Sequence, residues 1–177
     1  ITYGDENHWR NNQYANYYCT HSIGPLIHIT KLKPVSVVGF ELPYPDRKAR
    51  MGAKGGTAGI EMITLENGAI IKSIHGDLVK NSIWYTIYGS KGQLECARED
   101  ECEDNISILY QNIDSKEAVF DGRSKRFVLD KVSSFGHGGS DYYPINNFIK
   151  KLKGEEADTI DIYEALDMFL PGMFAYR

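Results

Sequence analysis

The chain has 177 residues, of which 42% are hydrophobic and 25% charged, as is typical of one compact globular domain that folds without disulfides. Its 20 basic and 24 acidic side chains give a net charge of -4, and no stretch collects enough Lys or Arg to follow a phosphate backbone, which argues against a nucleic-acid partner. No long apolar run or signal peptide is recognisable, so we expect a soluble cytoplasmic protein without a membrane partner.

The cysteines are expected to be reduced thiols. Cys19, Cys96 and Cys102 cannot all pair with one another, and their spacing matches no zinc framework. The chain opens on Ile1 without an initiator Met and closes on an apolar helical pattern, so we also expect a piece of a longer protein.

Residues 15–26, ANYYCTHSIGPL, place a row of small or polar groups between two tyrosines and an apolar pattern. Half-buried polar clusters of this kind are typical of clefts. Apolar residues at positions 26, 27, 29 and 32 then predict a one-sided helix with Pro25 in its first turn. The polar cluster therefore lies, by this prediction, directly before a helix.

The middle of the chain predicts a meander of antiparallel strands. A β-branched strand is expected at 35–42, followed by a polar, glycine-rich mobile loop over 43–59. Asn67-Gly68 supplies the positive φ angles of a tight hairpin between two strands. Further strands are expected on both sides of a turn at 90–92, at 106–111 and at 126–130.

In the last third of the chain apolar residues recur with helical spacing, which predicts helices at 144–153 and at 161–176. Asp158 or Thr159 is expected to cap the second helix, and Pro171-Gly172 is expected to kink it or end it early. Strands flanked by helices, without strand-helix-strand alternation, predict the α+β class: an open, largely antiparallel (mixed) sheet with helices packed on one face. The other face is expected to meet a second copy.

Two glycine-rich segments can be compared with the motifs that bind phosphate groups. Residues 136–141, GHGGSD, break the dinucleotide fingerprint, and GAKGGTAG at 52–59 lacks the ending of a P-loop. Two interpretations of 136–141 stay open. The segment is either a flexible turn whose Asp141 caps a helix, or a ligand-lining turn that presents His137 and Asp141.

His21 is the sharpest candidate for chemistry. The unpaired N–H groups and the dipole at a helix N-terminus disfavour an imidazolium, so a neutral His21 is suited to accept a proton. Tyr17 or Tyr18 beside it is suited to stack on a sugar ring and to hydrogen-bond a hydroxyl. The alternative is a packed histidine with Thr20 or Ser22 as a cap. No pair among the acidic, histidine and cysteine residues has a metal-ligand spacing, and we predict no metal.

Four segments carry a resemblance to a known family. They are YCTHSIGP at 18–25, LENGAIIKS at 65–73, YGSKGQLE at 88–95 and the glycine turn with its following helices at 136–166. In this order they resemble the C-terminal domain of the Gfo/Idh/MocA family of oxidoreductases, over nearly the whole chain. The resemblance implies one substrate-binding and oligomerisation domain over 1–177, a homo-oligomer through the sheet, and an N-terminal Rossmann domain outside this sequence that binds NAD or NADP. This piece alone is then expected to be inactive.

The resemblance also implies roles for residues. Family dehydrogenases carry an Asp and a His four residues apart where this chain has Thr20 and Gly24. Residues 18–21 instead resemble the Tyr-Pro-Thr-His segment of a branch with NAD-dependent α-N-acetylgalactosaminidases, with Cys19 in place of the proline. That branch oxidises a sugar transiently, eliminates the aglycone, adds water and returns the hydride.

His21 is accordingly expected to handle the proton. The expected substrate contacts are Arg10, Tyr17, Tyr18, Thr20, His137 and Asp141. An ordinary sugar or polyol dehydrogenase that releases a keto-sugar remains an alternative, as does a non-catalytic scaffold or dimerisation domain.

Overall fold

The structure is a computed structural model that describes residues 5, 7–9, 13–42, 58–76, 84–96, 105–110, 125–128 and 141–175. The chain divides into two compact units, one formed by Ile1–Asn81 with Ile160–Arg177 and the other by Ser82–Thr159.

The first unit contains a three-stranded antiparallel sheet with strand order β1-β2-β3. The strands are β1 at Pro34–Leu42, β2 at Ala58–Leu65 and β3 at Ile70–Gly76. A short 3-10 turn at Ala15–Tyr18 and the helices α1 at Thr20–Thr30 and α3 at Ile162–Ala175 contact this sheet. The predicted strand at 35–42 is confirmed.

The predicted hairpin is also confirmed, but of the Asn67-Gly68 pair only Gly68 has a positive φ. Gly68 has a φ of 85°, the left-handed region that glycine adopts without steric cost. The amide of Gly68 donates to the Leu65 carbonyl at 2.8 Å, and the amide of Leu65 donates to the Ala69 carbonyl at 2.8 Å. Local turn chemistry therefore fixes the register between β2 and β3.

One face of this sheet is buried by alternation along β2 and β3. Ile63, Leu65 and Ile71 face inward and pack with residues of the helices. From α1 come Ile23 and Ile27, four residues apart on one helix face, and from α3 comes Met168. Burial of these aliphatic side chains is the main source of stability for the unit.

The opposite face of the sheet exposes several apolar side chains, together with Lys72 on β3. Phe40 is 67% exposed and Val38 is 60% exposed on β1. Met62, Ile70 and Ile74 on the other two strands are also exposed. We call this surface, made of Val38, Phe40, Met62, Ile70 and Ile74, the outer sheet face.

Two helix boundaries differ from the predictions. Helix α1 begins at Thr20 and not near Pro25, so Pro25 lies inside it and cannot donate to the His21 carbonyl four residues earlier. Helix α3 continues through Pro171 to Ala175. Its cap is Asp161, not Asp158 or Thr159, because the Asp161 carboxylate accepts the amides of Tyr163 and Glu164 at 2.9 Å.

The second unit contains a four-stranded antiparallel sheet with strand order β4-β5-β6-β7. Its strands are β4 at Thr86–Gly89, β5 at Gly92–Cys96, β6 at Asn105–Tyr110 and β7 at Lys125–Val128. Helix α2 at Tyr142–Leu152 follows, with Asp141 at the N-cap position. The Asp141 side chain makes no capping hydrogen bond, so that part of the prediction is wrong.

The α+β class with open antiparallel sheets is confirmed. The structure holds two small sheets, and every strand pairing in the described ranges is antiparallel. Within those ranges no helix combines the length and the hydrophobicity that crossing a bilayer requires.

Candidate functional site

An aromatic pair marks the start of α1. The rings of Tyr18 and His21 are stacked, with centroids 4.5 Å apart and planes inclined by 26°. Tyr18 ends the 3-10 turn and is half-buried, whereas His21 is the second residue of α1 and is exposed. The pair therefore offers a ring surface, a phenol oxygen and an imidazole next to one another.

More aromatic side chains lie in the preceding residues. Tyr14 and Tyr17 meet edge to face with centroids 5.4 Å apart. His8 and Trp9 stack at 5.7 Å, and Trp9 is largely exposed. Aromatic rings that expose a face and a polar edge suit a ligand with both C–H surface and hydroxyls.

Beneath this segment the inner face of the first sheet is polar. The register aligns Glu41, Gly59 and His75 in one cross-strand row. It aligns Gly39, Glu61 and Ser73 in the next row. Glu61, Ser73 and His75 are buried, and we call the layer that they form with Asn16, Cys19 and Ser22 the polar layer.

Asn16, Cys19 and Ser22 cover that face from above, spaced three residues apart. The amide of Asn16 donates to the Glu41 carboxylate at 3.0 Å. The Cys19 thiol lies 3.7 Å from the Met168 carbonyl, and the Ser22 hydroxyl lies 2.5 Å from that of Ser73. The sequence 16–22 is polar because one side of it meets a polar sheet, while His21 points to the other side.

Asn16 fits closely between two glycines. A Cβ atom on Gly59 would collide with the Asn16 side-chain oxygen and lie 2.7 Å from His75 Nε2. A Cβ on Gly172 would collide with the Asn16 carbonyl and lie 2.7 Å from the Cys19 sulfur. Glycine at both positions allows the 3-10 turn to approach β2 and α3.

Burial changes the protonation of the acidic groups in the polar layer. Burial and the negative charge of Glu41 raise the pKa of Glu61 to about 7, although the Cys19 thiol acts in the opposite direction. Burial and the neighbouring Glu61 raise the pKa of the Cys19 thiol to about 12. Cys19 is a free, buried thiol and stays uncharged at neutral pH.

His75 is neutral for the same reason. Burial lowers its pKa to about 4, and the Ala15 backbone offsets this only in part. Its Nδ1 atom lies 3.0 Å from the Ser73 hydroxyl. A neutral imidazole carries its one proton on either nitrogen, so the partners of both ring nitrogens decide the tautomer.

The structure brings together only part of the predicted site. Tyr18 and His21 are in contact, Thr20 begins α1 and is half-buried, and Tyr17 packs on Tyr14. Asp141 belongs to the second unit, and the predictions for Arg10 and His137 fall outside the described residues. In the described ranges no group of three or more His, Cys, Asp or Glu side chains is arranged to hold a metal ion.

The sequence reasoning missed Asn16, Glu61, Ser73 and His75. Alternation along β2 and β3 was the available signal, because Glu61 shares a face with Ile63 and Leu65, and His75 shares one with Ile71.

No family model and no curated protein sequence matches this chain. Solved structures do match. UDP-N-acetylglucosamine 3-dehydrogenase GnnA from Acidithiobacillus ferrooxidans superposes with a TM-score of 0.67 at 11% identity, covering 98% of this chain and 48% of that one. Aldose-aldose oxidoreductase from Caulobacter crescentus, complexed with glycerol, gives a TM-score of 0.64 at 16% identity, covering 98% and 49%.

An oxidoreductase domain protein from Kribbella flavida gives a TM-score of 0.63 at 16% identity and covers 90% of this chain and 47% of that one. The chain thus spans about half the length of these solved structures. The resemblance to Gfo/Idh/MocA-type oxidoreductases is confirmed at the level of the fold.

Proposed function

We propose that this chain is the substrate-binding part of an NAD(P)-dependent oxidoreductase that acts on a sugar or glycoside. The observation that carries the proposal is the stacked pair of half-buried Tyr18 and exposed His21 at the start of α1, on a fold shared with enzymes named for sugar substrates. The ring surface would bind the sugar face, Tyr18 would orient a hydroxyl, and His21 would move a proton.

The nucleotide is assigned to another part of the protein. A dinucleotide site needs parallel strands with a crossover helix, whereas the strand pairings in the described ranges are all antiparallel. The described residues therefore do not fit NAD or NADP by themselves. A Rossmann domain in the same protein would bind the nucleotide that supplies the hydride chemistry, and this chain would hold the sugar.

The test is the substitution His21→Ala in the full-length protein. We expect it to abolish turnover of the sugar while binding of NAD, measured by fluorescence titration, stays nearly unchanged. His28→Gln on the same helix is the matched control and is expected to keep turnover, because His28 pairs with Glu164 rather than with Tyr18. Turnover that survives in His21→Ala contradicts the assignment.

Two enzymatic outcomes are compatible with this site. The segment YCTH favours the redox-neutral route, in which a glycoside is oxidised, loses its aglycone, gains water and is reduced again. Release of the aglycone from a chromogenic glycoside without net NADH supports that route. Accumulation of NADH with a free sugar supports a dehydrogenase that releases a keto-sugar.

We further propose that the outer sheet face forms a homo-oligomer. Its exposed aliphatic and aromatic side chains lie on one face of the sheet, around the exposed Lys72 of β3, as in an apolar interface with a polar residue. Phe40→Glu is expected to lower the molecular mass measured by sedimentation equilibrium. Ile29→Glu, at an exposed position on α1, is the control and is expected to leave the mass unchanged.

A non-catalytic scaffold would also have such a face. It is distinguished by the domain that accompanies this chain in the full-length protein. A Rossmann domain without its glycine fingerprint, together with absence of NAD binding, would favour the scaffold and contradict the enzymatic proposal.

A further inference from the structure

A chain of hydrogen bonds connects the buried end of β3 to the first turn of α1. His75 Nδ1 lies 3.0 Å from Ser73 Oγ, and Ser73 Oγ lies 2.5 Å from Ser22 Oγ. Ser22 Oγ donates to the Cys19 carbonyl at 2.8 Å. The same carbonyl also accepts the amides of Ser22 and Ile23 at 2.9 Å, the first backbone bonds of α1.

One order of the protons satisfies all three hydrogen bonds of this chain at once. Each hydroxyl has one proton, and that of Ser22 is used on the Cys19 carbonyl, which can only accept. With the Ser22 proton on that carbonyl, Ser73 donates to Ser22 and His75 donates its Nδ1–H to Ser73. The Ala15 backbone carbonyl also accepts from the His75 ring and competes for the single proton of the neutral imidazole. In this order the chain runs from His75 through Ser73 and Ser22 to the Cys19 carbonyl.

The Cys19 carbonyl belongs to the peptide group that joins the 3-10 turn to α1. Tyr18 lies one residue before Cys19 and His21 two residues after it. An oriented peptide at Cys19 thus sets the relative positions of the two stacked rings. Ser73 and His75 are buried, and the hydrogen bonds described above connect them to the pair through Ser22 and Cys19.

We propose that Ser73, backed by His75, is a positioning residue that orients the Tyr18–His21 pair through Ser22. The proposal rests on the proposed function for its kinetic consequence, while its structural part stands on the hydrogen-bond order alone. It assigns a role to the polar layer.

The hydrogen-bond order is tested by the tautomer of His75. In full-length protein labelled with 15N-histidine, NMR is expected to show the neutral Nδ1–H form of His75, identified by the loss of its signals in His75→Gln. Ser22→Ala removes the acceptor of the Ser73 proton, and Ser73 is then expected to donate to His75 and shift it toward the Nε2–H form. A wild-type His75 in the Nε2–H form overturns the proposed order.

The positioning role is tested by kinetics on a sugar that the wild type turns over. Ser73→Ala and Ser22→Ala are each expected to lower kcat about tenfold with KM within about twofold, because misorientation of a reacting group costs rate more than binding. Ser22→Thr keeps the hydroxyl and is expected to retain kcat. Thr30→Val removes the hydroxyl that bonds the Leu26 carbonyl at the other end of α1 and serves as the control.

A double-mutant cycle tests whether Ser22 and Ser73 act as one unit or independently. The Ser22→Ala/Ser73→Ala variant is expected to be no slower than either single variant, since each breaks the same chain. Losses that multiply, or single variants with wild-type kcat, overturn the positioning role. Ser22→Ala keeps the test valid if Ser73→Ala does not fold, because Ser22 is only half-buried.

Failure of the proposed function can be distinguished from failure of the positioning role. If the wild type turns over no sugar, the enzymatic proposal fails, and a crystal structure of Ser22→Ala decides the positioning role instead. Rings of Tyr18 and His21 that move apart from their 4.5 Å separation support it, and rings that stay in place overturn it.

Discussion

The Asn16 side-chain oxygen occupies the space that a side chain at Gly59 would need, and His75 Nε2 borders the same space. Asn16 in turn holds Glu41 through its backbone amide. The contact between Asn16 and Gly59 therefore joins the turn that leads into the candidate site to the central strand of the sheet.

Gly59→Ala is expected to destabilise the protein. Its Cβ would collide with the buried Asn16 amide, and overpacking of this kind costs about 2 kcal/mol of the free energy of unfolding. Urea denaturation measures the loss. An alanine tolerated at position 59 with unchanged stability would show that the turn does not pack on β2 in this way.

Gly24→Ala is the matched case in which added bulk is expected to stabilise. A Cβ at this buried helical position meets only the Met168 sulfur, at an ordinary distance of 3.5 Å. Alanine restricts the unfolded chain more than glycine does, so the free energy of unfolding should rise by about 0.5–1 kcal/mol. The same denaturation measurement checks it, and a decrease would contradict the ordinary contact distance between a Cβ at Gly24 and the Met168 sulfur.

Glu61→Gln is expected to change the pH dependence of stability. The folded state raises the pKa of Glu61 from 4.5 to about 7, so it binds a proton that the unfolded state has already released. The contribution of Glu61 to the free energy of unfolding is therefore lost as the pH rises from 4.5 to about 7. Gln cannot ionise, so relative to wild type the variant should gain on the order of 2 kcal/mol between pH 5 and pH 8.

The control is Glu156→Gln, which removes an exposed carboxylate and makes the same change in net charge. It should show no such gain. His75 acts in the opposite sense, since its lowered pKa of about 4 makes stability rise with pH below its ordinary value of 6.5. This contribution is common to wild type and Glu61→Gln and cancels in their difference. An equal stability difference at pH 5 and pH 8 would contradict a buried, proton-binding Glu61.

Glu164 joins the start of α3 to the end of α1. Its carboxylate lies 2.5 Å from His28 Nδ1 and 3.1 Å from Lys31 Nζ. Glu164→Gln should lower the free energy of unfolding by about 0.5–1 kcal/mol, a small effect because Lys31 is largely exposed. A double-mutant cycle with Lys31→Met measures the coupling, and a coupling energy of zero would show that the pair contributes nothing.

Elements specified by local chemistry were predicted well. The hairpin at Asn67-Gly68 follows from the φ angles that only a few residues adopt, and neighbours in sequence suffice to define it. Helix ends were predicted less well. Pro25 and Pro171 both lie inside helices, because packing of α1 and α3 on the sheet outweighs the lost backbone hydrogen bond.

The sequence by itself determined the α+β class, the order of the strands along the chain, and His21 and Tyr18 as candidates, since periodicity, turn residues and the YCTH segment are properties of neighbouring residues. Only the tertiary structure decided which polar groups face inward. Ser22 meets Ser73, which is 51 residues away, and Asn16 meets Gly59 on β2. A polar side chain is stable in the interior only when distant strands supply its partners, and no local pattern contains that information.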